Sequence, residues 1–181
     1  MKVKDVMIPI SQYVTVGPDA TLRNVFEALD EDFRNKSGKC HAHRDVLVLD
    51  ESGEFAGLVT MVDIIRSLEP NYSKISNIDE DESAVLTREY VLDVFKKFGL
   101  WHDSLQGMCE KAVSLKVESV MHVPGTGETV EEDDELGLAI HQYIFGAEQP
   151  LVVRNGGKVT GVLRLSDIFE VVRSQMMACT L

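Results

Sequence analysis

From Leu22 onward the apolar positions fall at helical spacing: Leu22, Val25, Phe26 and Leu29 occupy i, i+3, i+4 and i+7, the stripe of a helix lying on a core. The same stripe returns at Leu136, Ala139, Ile140 and Tyr143. Downstream of each stripe the period shortens. Val46-Leu-Val-Leu49 and Phe55-Ala-Gly-Leu-Val59 flank a turn-forming Asp50-Glu-Ser-Gly53 and predict a hairpin. Leu151-Val-Val153, Asn155-Gly-Gly157 and Val159-Thr-Gly-Val-Leu163 predict a second one. A further helix closes each block, carrying Ile64, Ile65 and Leu68 in the first and Ile168, Phe169 and Val172 in the second. The acidic run from Glu131 to Glu135 is expected in the first turn of its helix, solvated and favoured by the helix dipole; a cation site there is the alternative.

These blocks are copies. A shift of 114 places Val3, Val6 and Met7 on Val117, Val120 and Met121, Thr15-Val16 on Thr129-Val130, and Asp19 and Leu22 on Asp133 and Leu136. A shift of 104 places Leu47-Val48 on Leu151-Val152, Gly53 and Gly57 on Gly157 and Gly161, and Asp63-Ile64 on Asp167-Ile168. The first copy therefore holds about ten extra residues, all between Asp30 and Asp45. The predicted class is α+β, two pseudo-symmetric β-α-β-β-α repeats. A unit of roughly 50–60 residues buries too little surface to be comfortably stable alone, so the copies should pack together and bring equivalent loops to a shared cleft. The expected division is residues 1–69 for the first repeat with its 30–45 insertion, 70–116 for a helical linker, and 117–181 for the second repeat. In the linker, Ser83 caps a predicted helix bearing Leu86, Tyr90, Val91, Val94, Phe95 and Phe98 and ending at Gly99. A second helix carries Leu105, Met108, Cys109 and Ala112, with Trp101 at the corner. The pair either packs on its own domain or serves as a lid or dimer contact.

Composition narrows the partners. The 181 residues are 44% hydrophobic and 27% charged, ordinary globular proportions. Eighteen Lys and Arg against 30 Asp and Glu give a formal charge of -12, which repels polyanions, so nucleic acid is not an expected partner. A small anion is still admissible, because a local cation outweighs distant charge screened beyond about 10 Å. No stretch approaches the roughly 18 apolar residues of a membrane span, and the start lacks a signal-peptide core. A soluble, cytoplasmic protein with no membrane partner is expected. Cys40, Cys109 and Cys179 are odd in number and widely spaced, which fits reduced thiols.

Each copy runs from its second hairpin strand straight into a helix, as Gly57-Leu-Val-Thr60-Met-Val-Asp63 and Gly161-Val-Leu-Arg164-Leu-Ser166-Asp167. With the Val-Met opening and the Thr-Val ahead of the first helix, the chain resembles a tandem pair of cystathionine-β-synthase-type (CBS) domains. The resemblance covers nearly everything except the 30–45 insertion and the middle helices. It implies a regulatory module without catalytic residues or cofactor, binding an adenosine-containing ligand (AMP, ADP, ATP or S-adenosylmethionine) in the cleft between repeats. It also implies a homodimer and a separate effector protein. By the same resemblance Asp63 and Asp167 accept the ribose hydroxyls, Thr60 and Ser166 supply hydroxyl contacts, and Thr15, Val46, Thr129 and Pro150 line the base pocket. A carboxylate suits a ribose diol, and backbone N–H groups at a helix start suit a phosphate. Capping of their own helices is the other role open to both aspartates. Arg164 departs from the family's small hydroxyl: it either clamps a phosphate or fills and abolishes its site. Val62 stands where the second copy has Ser166, so the first site lacks one polar contact.

Other chemistry is thinly represented. Cys40, His41 and His43, within the tract from Lys39 to Asp45, are metal-ligand types in one stretch, but without a distant matching pair the tract reads as a flexible surface loop and no metal site is assigned. His122, directly after the repeated Val-Met, faces the cleft in the family's pattern as an anion contact, or packs at the surface. There is no P-loop, G-x-G-x-x-G, G-x-S-x-G or H-E-x-x-H. The competing functional reading is a ligand-free protein-interaction module that uses the Phe95, Phe98 and Trp101 region of the linker.

Overall fold

A computed structural model describes residues 1–35, 43–75, 87–148 and 150–179. The first copy runs β2 (Thr15–Val16), α1 (Leu22–Asn35), β3 (Val46–Leu49), β4 (Phe55–Val59) and α2 (Met61–Leu68), preceded by a short β1 (Ile8–Pro9). The linker holds α3 (Arg88–Phe98) and α4 (Leu105–Ala112). The second copy repeats the order as β5 (Thr129–Glu131), α5 (Leu136–Ile144), β6 (Leu151–Asn155), β7 (Lys158–Leu163) and α6 (Leu165–Ala178). Both copies are thus β-α-β-β-α, and the fold is mixed α+β. In each, the strand before the helix pairs parallel to the first hairpin strand, and the hairpin pairs antiparallel. The β6–β7 turn is carried by Gly156 and Gly157, at φ 58° and 87°, the left-handed pair that a two-residue hairpin turn requires.

The opening segment of each copy does not stay with its own copy. β1 joins the second sheet, giving the order β1-β7-β6-β5 beside a three-stranded β2-β3-β4. Ile8 lies opposite Val162 and Pro9 opposite Gly161, and the counterpart of Ile8, His122, bridges Leu58 in the first sheet. The Val3 amide donates to Asp134 O at 3.0 Å, and the Val117 amide donates to Ala20 O at 2.8 Å. Consequently Val3 is buried in the second core with Leu136, Leu151 and Leu163, while Val117 is buried in the first with Leu22, Val25 and Val46. Leu47 and Leu58 of one sheet join Val152, Val162 and Tyr13 in a third cluster that fuses the two units. The repeated glycines mark the crossings. A Cβ on Gly57 would stand 2.9 Å from His122 O, and one on Gly161 2.4 Å from Ile8 O.

The same exchange relocates the acidic run. Rather than forming the first turn of α5, Glu131 ends β5 and α5 begins at Leu136, with no acid in its first turn. Asp133 meets Lys2 Nζ at 3.1 Å and Lys4 Nζ at 2.8 Å, so the run is matched by cations of the crossing segment. In the linker, Thr87 caps α3 and Gly99 ends it at φ 61°; the expected cap, Ser83, and Leu86 lie outside the described residues. α4 packs on α2, and its Ala112 enters the first core. Trp101 also faces its own chain, donating its amide to Glu69 Oε2 at 2.7 Å and its indole N–H to Tyr72 Oη at 3.0 Å. No helix among the described residues is long and apolar enough to cross a membrane.

Candidate functional site

The β4–α2 junction builds the centre of the first cleft. Thr60 caps α2 by accepting from the Asp63 amide. In return, Asp63 Oδ2 accepts from the Thr60 amide at 2.8 Å and from the Thr60 hydroxyl at 2.7 Å. Asp63 is only 6% exposed, and this reciprocal cap is what makes a buried carboxylate tolerable. His122 arrives from the crossing segment and places Nδ1 2.8 Å from the same Oδ2. The other oxygen, Oδ1, accepts no hydrogen bond among the described residues and faces Arg66 Nη1 at 3.8 Å. Asp63, Arg66 and His122 line one side of a pocket of about 580 Å³ whose far wall is Glu128, Phe145 and Glu148 of the second copy. The cleft therefore lies between repeats.

The pseudo-equivalent position in the second copy is built differently. Arg164 occupies the cap position of α6 and grips Asp167 with a two-pronged fork, Nε to Oδ2 and Nη2 to Oδ1, both at 2.7 Å. Both oxygens of Asp167 are thus engaged by its own neighbour. Where the first cleft has Gly127, the repeat places Tyr13, which is 7% exposed and stacks on His43 with ring centroids 4.1 Å apart. The Tyr13 hydroxyl donates to Asp45. Burial raises the Tyr13 hydroxyl's pKa far above its ordinary value, and the Asp45 charge adds to this. Burial also raises Asp45, against the opposing pull of the Tyr13 hydrogen bond and the Arg164 charge. Tyr143 closes the far side, donating to Leu163 O at 2.5 Å and accepting from the Leu151 amide at 3.0 Å. Side chains of the protein itself fill the space around Arg164.

Of the residues singled out in the sequence, Thr60 and Asp63 stand together at the first cleft. Arg164 and Asp167 pair with each other in the second copy, beside a partly exposed Ser166. Val46 is fully buried in the core of its own unit, Pro150 is buried, Thr15 is exposed on β2, and Thr129 is half-buried on β5; none of these four is among the residues lining the 580 Å³ pocket. Cys40 and His41 lie outside the described residues. His43, expected in a surface loop, is 4% exposed, because the end of the insertion folds onto Tyr13. The reading of His122 as an anion contact has a protein anion as its object, the Asp63 carboxylate. Sequence reasoning missed Arg66, Glu128, Phe145 and Glu148. The usable signal was asymmetry between copies: His122 replaces Ile8 and Glu128 replaces Val14 in register.

Comparison with known proteins agrees with this architecture. Residues 3–70 match the CBS domain family model. The CBSX2 protein, solved in complex with AMP, is 15% identical at a TM-score of 0.58, with 97% of this chain and 98% of that one covered. A CBS-domain containing protein from Agrobacterium tumefaciens is 15% identical at a TM-score of 0.58, covering 94% and 92%. A CBS domain-containing protein of unknown function from Bacillus anthracis is 18% identical at 0.58, covering 97% and 94%. No curated protein matches the chain. Residues 3–70 therefore carry the match to a CBS domain, and the fold of the chain is that of the tandem pair seen in these structures.

Proposed function

We propose that this protein is a regulatory module that senses an adenosine-containing ligand, AMP, ADP, ATP or S-adenosylmethionine, in the first cleft, and that it performs no catalysis itself. The observation that carries the reading is Asp63: a carboxylate locked by its own helix cap, with one oxygen left over, at the edge of a pocket between repeats. Such an oxygen accepts a ribose hydroxyl with a charge-assisted bond, and Arg66 supplies a cation for a phosphate. The exposed ring of Phe145 and the side chain of Ala147 offer apolar surface to a base. The Arg164–Asp167 fork and the Tyr13–His43 stack support a single ligand per chain. The CBSX2 complex with AMP supports the nucleotide class.

Because the cleft draws on both copies, ligand shifts their relative orientation to the extent that it binds one arrangement more tightly. A separate effector protein reads that shift. The exposed apolar faces of α2 (Met61, Val62, Ile65) and α6 (Phe169, Met176) support a homodimer. Titration calorimetry of metal-free protein against the four ligands tests the reading. One adenosyl ligand per chain is expected, lost in Asp63→Asn and retained in Asp167→Asn. Binding of none of them, or binding indifferent to Asp63, refutes it and favours an interaction module.

A further inference from the structure

The first cleft also gathers metal-ligating atoms. One donor atom each from His122, Glu128 and Glu148 lies within 4.8 Å of the others. His122 sets the geometry. Its Nδ1 is 2.8 Å from a carboxylate oxygen of Asp63, an acceptor, so Nδ1 carries a hydrogen and Nε2 is the ring nitrogen available to a metal ion. Nε2 is buried and has no hydrogen-bond partner among the described residues, although Glu128 Oε1 stands 3.2 Å away. Two bare lone pairs at that distance repel, so either a proton on Nε2 or a metal cation lies between them. Tetrahedral zinc, with bonds of about 2.0–2.1 Å, holds its ligand atoms roughly 3.3 Å apart, so His122 and Glu128 are already at liganding separation. The second oxygen of Glu128 accepts from the Gly125 amide at 2.7 Å, which aims the first at the imidazole. Glu148 is exposed, and closing its remaining gap takes roughly 1.5 Å at most.

We propose that His122, Glu128 and Glu148 bind a first-row divalent transition ion, with Asp63 as the carboxylate that orients and polarises the histidine from behind. Three protein ligands leave a coordination position open to the cleft for water or an anion. The imidazole argues against magnesium and calcium, which take oxygen ligands. The ion also offsets the local surplus of acid, since Glu128, Glu148 and Asp63 face one arginine in the pocket lining. The site requires no nucleotide and stands or falls apart from the sensing function.

The test is a zinc titration of chelator-treated, nucleotide-free full chain, competed against a fluorescent zinc indicator. It is run in a background carrying Cys40→Ser, Cys109→Ser and Cys179→Ser to remove thiol binding. One zinc per chain is expected, unaffected by millimolar magnesium, weakened by about ten- to a hundredfold in Glu148→Gln and abolished in His122→Gln. Glu148→Gln changes one exposed side chain and should melt with the parent, so the result does not hinge on the folding of the histidine variant. Nitrogen NMR should report metal at His122 Nε2. No zinc uptake, uptake unchanged in both variants, or displacement by magnesium overturns the proposal. Nucleotide titration of the metal-free protein reports separately on the sensing function.

Discussion

Replacing Gly161 with alanine places a Cβ 2.4 Å from Ile8 O and 3.3 Å from Met7 Sδ. Ordinary C···O contacts are about 3.3 Å or longer, so the crossing strand β1 must retreat by roughly 0.9 Å. The obstructing atom is backbone, which no rotamer change relieves. That displacement carries β1–β7 hydrogen bonds from about 2.9 Å beyond bonding range, at about 0.5–1.5 kcal/mol each, and overpacking adds about 1–3 kcal/mol. The expected loss is about 3 kcal/mol, a fall in Tm of roughly 6–12 °C for a chain of this size. The assay is urea and thermal unfolding beside Gly17→Ala, whose added Cβ meets nothing within 4 Å and which should be neutral or slightly stabilising. If Gly161→Ala melts with Gly17→Ala, the exchanged strand is not packed as described.

Three further outcomes follow from named contacts. The Glu69 carboxylate is held below its ordinary value of 4.5 chiefly by the Trp101 amide; its contribution is full above pH 4.5 and is lost as pH falls through the lower folded value. Glu69→Gln should therefore flatten the loss of Tm on acidification below pH 4.5, and parallel wild-type and variant curves would refute this. Arg164→Ala leaves Asp45 and Asp167 without their cation, an expected loss on the order of 3 kcal/mol in urea unfolding, while the number of adenosyl ligands bound stays at one. A gain of a second binding site would show that the arginine is a plug that nothing else supports. Phe169→Glu, on an exposed apolar face of α6, should convert a dimer to a monomer in light scattering without lowering the monomer's stability; an unaltered dimer places the interface elsewhere.

Hairpins and helix stripes were legible in the sequence because their signals are local. Val46 to Leu49 and Phe55 to Val59 became β3 and β4 within the expected bounds, and Gly99 ended α3 as its left-handed φ requires. The crossing segment was not legible. β1 is two residues long and its partner, β7, lies about 150 residues away, so no periodicity announces it, and the acidic run was assigned to a helix instead of to Lys2 and Lys4. Asp63 and Thr60 were found because they recur in register with Asp167 and Arg164. The opposite wall of the cleft was missed because it has no echo: Glu128 and Phe145 correspond to Val14 and Glu31. His43 was misplaced because an insertion, judged alone, resembles a loop. Its contacts with Tyr13, thirty residues earlier in the chain, and with Asp32 on α1 turn it inward.

The exchanged opening segments order the birth of the molecule on the ribosome. The first unit has its helices and hairpin by Leu68, yet the valine that completes its core is Val117. It must wait half-finished for some fifty residues of linker to be made. Val3, synthesised before either unit, waits longer still for the second unit that will enclose it. Neither half matures alone: the nascent chain passes from two incomplete cores to two complete ones only as the second unit emerges, and a ribosome stalled in the linker would hold a first unit with its core open.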